Sequence, residues 1–133
     1  MVYQEYLKES TALSLLEAEE IYDKIHAAVL EDDDPDALEL WNDLLVRAMD
    51  YTKIRCEWSG LSREEKLERD ASRTSCHDSL IRQFQILERY LYKIGKDTSW
   101  REQLGDTSKD PYLRKRIGDM GAYICLFTSI SNR

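Results

Sequence analysis

The chain has 133 residues, of which 42% are hydrophobic and 34% charged, and its formal net charge is −7 at pH 7. This length fits a single domain, residues 1–133, with its own core, and five glycines and two prolines are few for a turn-rich β fold. No apolar run approaches the about 20 residues that a membrane-spanning helix needs, and the first ten residues lack the basic-then-apolar order of a secretory signal. Three cysteines without a closely spaced pair argue against a disulfide framework. We therefore expect a cytoplasmic protein with no membrane contact.

The charge is divided unevenly along the chain. Residues 1–60 carry 15 acidic and 5 basic side chains, whereas residues 61–133 carry 11 acidic and 14 basic ones. The basic cluster of three residues at positions 114–116 is too small for general nucleic-acid affinity, so we do not expect direct nucleic-acid binding. Either the two halves attract each other within the fold, or one half presents a charged face to a partner.

The first predicted helix starts after Ser10 or Thr11 and ends before the acidic run at residues 31–34. Negative charge at a helix C-terminus opposes the helix dipole, which places this run in a loop. The apolar residues of the helix recur every three or four positions, as one buried face requires. They are Leu15, Ala18, Tyr22, Ile25 and Val29.

A second helix is predicted from Pro35, since proline is favoured at the first helical position, with Asp34 as its N-cap. It ends at Ser59-Gly60. Its apolar residues form two stripes, which indicates contact with two neighbouring elements. The stripes are Leu38, Trp41, Leu45, Ala48 and Thr52, and Leu44, Tyr51, Ile54 and Trp58.

The third helix begins with a capping box, Ser62 followed by Glu65. Residues 63–75 are polar except for Leu67 and Ala71. No glycine or proline interrupts them, which favours one long helix over a break near residues 71–75. The helix continues through the most regular stripe of the chain to Gly95, a favourable C-terminal cap. This stripe consists of Cys76, Leu80, Phe84, Leu87, Leu91 and Ile94, widened by Ile81 and Tyr90, while Gln83 and Glu88 are assigned to the solvent side.

A single helical turn capped by Ser99 follows, with Trp100 and Leu104 facing inward, and Asp110-Pro111 starts the last helix. That helix uses Leu113, Ile117, Met120, Ile124 and Phe127, and frays from Ser129. No segment alternates with the period of a strand. The prediction is an all-α, single-domain bundle of four main helices plus a short helical turn, in up-and-down topology.

The candidate metal and nucleophile patterns are incomplete. Asp23-x-x-His26 places two ligand types on neighbouring helical turns, but a di-iron bundle needs a second such pair, and His77 has Thr74 three residues before it. Cys76 and His77 are adjacent on a helix and point about 100° apart, so they do not activate each other. We therefore predict no catalytic residue, no metal site and no cofactor.

Glu17-x-x-Glu20 resembles the first metal-binding pair of the all-α nucleotide pyrophosphohydrolases, which hold magnesium with a Glu-x-x-Glu pair on one helix and a Glu-x-x-Asp pair on the next. The second pair here would be Glu31-x-x-Asp34, or Glu39 with Asp43 at a different spacing. The resemblance implies a magnesium-dependent hydrolase as the alternative function. A solvated acidic helix face explains the same residues and is the favoured interpretation.

Two charged clusters are the candidate binding residues. The basic cluster occupies the first turns of the last predicted helix, where its positive charge opposes the helix dipole. Either internal ion pairs or an external acidic group must therefore compensate this charge. Internal ion pairs are the favoured interpretation. The acidic cluster can orient a basic partner, with Trp41 and Trp58 adding contact area if they are not fully buried. The clusters are Glu31, Asp32, Asp33, Asp34 and Asp36, and Arg114, Lys115 and Arg116.

These features favour a non-enzymatic regulator, adaptor or inhibitor that binds a protein partner with a basic surface. A homodimer is a further possibility. It would use Gly118, Gly121 and the second stripe of the second helix, because small residues permit close approach of another backbone.

Overall fold

Within residues 15–104, 112 and 120–131, which the computed structural model describes, the chain is helical and contains no strand. The all-α fold class is therefore confirmed. The helices are α1 (Leu15–Leu30), α2 (Pro35–Trp58), α3 (Arg63–Lys93), a 3-10 helix (Ser99–Leu104) and α4 (Met120–Ser131). The predicted helix start at Ser10 or Thr11, the Asp110-Pro111 start, the Arg114, Lys115 and Arg116 cluster, and Gly118 lie outside the described residues.

The predicted helix ends are confirmed at three places. The Asp34 carboxylate accepts hydrogen bonds from the backbone N–H groups of Asp36 and Ala37, at 2.9 and 3.4 Å. Ser62 and Glu65 form the reciprocal capping box. Gly95 has a φ of 85°, a left-handed conformation that glycine adopts without steric cost.

The predicted cap of the 3-10 helix is wrong. Asp97 accepts hydrogen bonds from the backbone N–H and the hydroxyl of Ser99, both at 2.9 Å. The Asp97 carboxylate, which reaches further than the Ser99 hydroxyl, thus accepts the hydrogen bonds at the start of the 3-10 helix, and Ser99 is a donor to it. Trp100 and Leu104 are buried, as predicted.

The helices α2 and α3 form an antiparallel pair, because residues from opposite ends of the two helices meet. Gln83 donates a hydrogen bond to the Leu40 carbonyl at 3.2 Å. Near the connecting turn, Arg69 forms a salt bridge with Glu57 at 3.4 Å. The helix α3 is continuous from Arg63, so the single long helix is confirmed, but Leu67 and Ala71 are exposed and do not join the core.

The direction of α4 differs from the predicted up-and-down topology, in which each helix runs opposite to the one before it. A methyl group at Gly121 would lie 3.0 Å from the His77 ring and 3.4 Å from that of Tyr51. Six residues later, the Phe127 ring lies 6.3 Å from the Trp41 ring. Because Tyr51 follows Trp41 along α2, α4 is antiparallel to α2 and parallel to α3, where an up-and-down bundle would reverse it. The groups that approach Gly121 closely are the side chains of His77 and Tyr51 in the same chain.

The core is centred on Trp41, which is only 2% exposed. Its ring packs edge-on against Tyr22 of α1 at 5.1 Å, and His26 stacks on it at 5.6 Å. Phe127 of α4 completes this aromatic group. Trp41 consequently adds no contact area for a partner, because the condition that it is not fully buried is not met.

The 3-10 helix docks on α3 through a buried ion pair that the periodicity did not indicate. Arg101 and Glu88 have side chains 2% and 4% exposed, and the Arg101 Nε lies 3.5 Å from a Glu88 carboxylate oxygen. Trp100 packs edge-on against Phe84 beside them. The assignment of Glu88, and also of Gln83, to the solvent side is wrong, because the 3-10 helix and the backbone of α2 supply polar partners on that side of α3.

Candidate functional site

The acidic residues Glu31, Asp32, Asp33, Asp34 and Asp36 form one surface, which we call the acidic corner. It lies where α1 ends and α2 begins. Contacts to Tyr90 and Lys96 bring the C-terminal end of α3 to the same place. The loop position of the acidic run is confirmed, and the tertiary structure adds α3 to it.

Asp34 is the structural member of the acidic corner. One carboxylate oxygen caps α2, and the other accepts a hydrogen bond from the Tyr90 hydroxyl. That hydrogen bond lowers the pKa of the Asp34 carboxyl and raises the pKa of Tyr90 to about 12. Asp34 therefore joins α2 to α3 as well as ending the loop.

Lys96 compensates part of the negative charge. Its ammonium group lies 3.3 Å from a Glu31 carboxylate oxygen and also pairs with Asp32. The hydrogen bond to Asp32 is the main reason that the pKa of Lys96 is raised. Internal compensation of the acidic run thus comes from Lys96, which lies outside both predicted charged clusters.

Asp33 and Asp36 form no comparable contacts, although Asp36 lies in the first turn of α2, where negative charge favours the helix dipole. Both side chains are exposed, and within the described residues neither forms a salt bridge or a side-chain hydrogen bond. Asp33 adopts a φ of 51° in the turn after α1, a conformation that aspartate tolerates better than most residues. These two carboxylates are available to a partner.

Exposed aliphatic side chains border the acidic corner. Leu30 directly precedes Glu31, Leu38 lies one helical turn after Asp34, and Ile94 lies two residues before Lys96. All three are exposed. Apolar contact surface beside polar and charged groups is the usual composition of a protein interface.

We expect that Tyr90→Phe makes the free energy of unfolding less dependent on pH in the alkaline range. Because folding raises the pKa of Tyr90 from 10.0 to about 12, the contribution of this phenol to the free energy of unfolding is complete below pH 10 and is lost between pH 10 and about 12. Urea unfolding across this interval measures the slope, with Tyr92→Phe as the control from the same helix. Equal slopes for the wild type and Tyr90→Phe would show that the hydrogen bond to Asp34 does not form.

The geometry does not support the hydrolase alternative. Glu17 and Glu20 are exposed on α1, and among the described residues no three His, Cys, Asp or Glu side chains converge as a metal site. Two cavities of about 280 and 180 Å³ lie between α2 and α3. Neither is lined by Glu17 or Glu20.

The histidine and cysteine candidates occupy packing positions. His26 stacks on Trp41, and His77 packs against Tyr51 at 5.3 Å. Cys125 is fully buried, Cys76 is half-buried, and burial raises the pKa of the half-buried Cys56 thiol. A thiol of raised pKa is a poor nucleophile at neutral pH.

Sequence reasoning overlooked Lys96 and Tyr90 as parts of the acidic corner, because they follow it by about 60 positions and only the fold brings them near.

The described helices include none that is both long and apolar enough to cross a bilayer. Comparison of the chain with known proteins identifies no relative, since no protein-family model, no curated protein and no solved structure matches it significantly.

Proposed function

We propose that this protein is a cytoplasmic, non-catalytic interaction module that binds a protein partner with a basic surface through the acidic corner. The observation that carries the proposal is the exposure of Asp33 and Asp36, which form no side-chain hydrogen bond or salt bridge within the described residues, beside Leu30, Leu38 and Ile94. By occupying the basic surface of its partner, this protein would act as a regulator, an adaptor or an inhibitor.

The helix dipoles add to the negative potential of the acidic corner. The C-terminal ends of α1 and α3 lie there, and each carries a partial negative charge, whereas the N-terminal end of α2 carries a partial positive charge that offsets one of them. Five carboxylates are grouped with them, whereas only Asp34 is needed to cap α2. Grouping like charges reduces stability, and binding of a cationic surface offsets that loss and accelerates association.

The exposed aliphatic residues beside the acidic corner indicate which kind of partner segment it would bind. Charged rim contacts mainly orient and steer a partner, whereas buried apolar contacts supply most of the affinity. We therefore expect a partner segment in which lysine or arginine residues flank apolar ones. A nucleic acid has no apolar exterior to cover Leu30, Leu38 and Ile94, which favours a protein partner.

The experiment is a nuclease-treated pull-down from the source cell with Asp33→Asn/Asp36→Asn as the test variant. This variant removes two charges and keeps the Asp34 cap and the Lys96 ion pairs. Because an exposed ion pair contributes about 0.2–1 kcal/mol, we expect binding of the captured protein to weaken between about 2- and 30-fold. The dissociation constant of the purified pair, measured by calorimetry, quantifies the effect.

The matched control is Asp43→Asn/Glu68→Gln, which removes two exposed carboxylates outside the acidic corner. It should bind as the wild type does. Equal weakening by both double variants would show that only net charge matters, and no weakening by the test variant would refute the acidic corner as the site. Capture that disappears on nuclease treatment would point to nucleic acid instead.

A further inference from the structure

We propose that Lys96 is an internal competitor for the acidic corner: it occupies Glu31 and Asp32 in the free protein and is displaced when a partner's cationic side chains bind them. This inference rests on the proposed function and adds a condition on the partner. The partner must supply enough positive charge to replace a lysine that the chain already holds at the site. A segment with several lysine or arginine residues meets this condition, whereas a single cation does not.

The backbone at Lys96 is held in place independently of its side-chain charge. Gly95 is left-handed, and its N–H donates a hydrogen bond to the Tyr92 carbonyl at 3.0 Å. The Lys96 N–H donates to the Leu91 carbonyl at 2.9 Å. These two hydrogen bonds form the Schellman motif that ends α3, in which the position of Lys96 is frequently apolar and packs back on the helix. The end of α3 therefore does not require a cation at this position, and the contacts of the ammonium group are those to the acidic corner.

The Lys96 side chain lies against the protein, whereas the carboxylates that it contacts face solvent. The Lys96 side chain is only 9% exposed, and those of Glu31 and Asp32 are 64% and 70% exposed. A carboxylate has acceptor positions for several donors. A cation from outside can therefore reach both carboxylates while Lys96 still contacts them, which is the first step of a displacement.

The energetics of the exchange explain why several cations are needed. An ion pair between exposed groups contributes little to stability, because water competes for both of them, and the flexible lysine stem lets the released ammonium group turn to solvent. A single partner cation still gains little, since the tethered Lys96 is present at a high effective concentration. Further cations on the same segment bind Asp33 and Asp36, for which the chain holds no competitor among the described residues. Those contacts tip the exchange towards the partner.

A fluorescence-anisotropy titration with a labelled synthetic peptide tests the inference. The peptide has lysine and leucine at the spacing of an amphipathic helix, which is the chemistry expected of the partner segment. Lys96→Met should bind this peptide about 2- to 30-fold more tightly than the wild type, because two exposed carboxylates become available. Lys53→Met, at an exposed lysine near the opposite end of α2, changes the net charge equally and should bind as the wild type does. Circular dichroism verifies that each variant is folded.

A second titration removes the two carboxylates for which Lys96 competes. In a Glu31→Gln/Asp32→Asn background, Lys96→Met should no longer tighten binding, since competition requires the groups that are competed for. A gain that persists in this background overturns the inference. Equal gains from Lys96→Met and Lys53→Met, or no gain from Lys96→Met, also overturn it.

The same titrations distinguish this inference from the proposed function. If the peptide binds the wild type and Lys96→Met equally but binds Asp33→Asn/Asp36→Asn more weakly, the acidic corner remains the site and only the competition by Lys96 is refuted. If Asp33→Asn/Asp36→Asn binds as tightly as the wild type, or if no variant binds the peptide, both the proposed function and the inference are overturned.

Discussion

Replacing Arg101 with methionine is expected to lower the free energy of unfolding by about 3–5 kcal/mol. The substitution removes the guanidinium group from beside Glu88, and both side chains lie in the core. A buried carboxylate that loses its cation keeps the cost of desolvation without the compensating attraction. Urea unfolding followed by circular dichroism measures the loss, which is a large share of the about 5–15 kcal/mol typical of a domain.

A double-mutant cycle separates the ion pair from the packing of the side chains. The double variant Arg101→Met/Glu88→Met should recover most of the stability, because apolar residues of similar volume can replace a buried ion pair at little cost. Arg82→Met, at an exposed arginine of α3, should change the free energy of unfolding by only about 0.5 kcal/mol. Additive losses in the double variant would contradict the coupling of Arg101 with Glu88.

Trp41→Ala is expected to destabilise the protein by about 3–5 kcal/mol, the usual range for removing a large aromatic side chain from a core. The indole contacts α1 through Tyr22 and α4 through Phe127, so its loss loosens three helices together. Chemical unfolding provides the measurement, and Trp41→Phe supplies a milder variant that keeps the fold measurable if the alanine variant unfolds.

Trp58→Ala is the matched control from the same helix. Trp58 is the last residue of α2, is half-buried, and has Arg73 4.9 Å above its ring. Losing this contact should cost about 1–2 kcal/mol. Equal losses for the two tryptophans would mean that the core does not centre on Trp41.

The ends of α2 and α3 were predictable because local chemistry determines them. The Asp34 cap, the capping box of Ser62 and Glu65, and the left-handed Gly95 each depend on residues within a few positions of one another. The buried stripe of α3 was predictable in the same way from Leu80 to Leu91, since the helical period selects one face.

Apart from the Ser99 cap, which Asp97 replaces from two residues away, the wrong predictions about burial depend on parts of the fold that are distant in sequence. Glu88 and Gln83 are polar residues on a predicted solvent face, and they are buried because Arg101 and the Leu40 carbonyl supply their partners. Leu67 is apolar and exposed because α3 continues past the end of the core. Residue type alone could not reveal either outcome.

The candidate site combines both kinds of information. Periodicity, caps and charge are local properties, so they were sufficient to predict helices joined at an acidic run. The fold brings Lys96 and Tyr90 to this run and leaves Asp33 and Asp36 exposed. Local properties do not indicate this outcome, because side-chain pairing depends on which helix ends meet and these groups are about 60 residues apart in the chain.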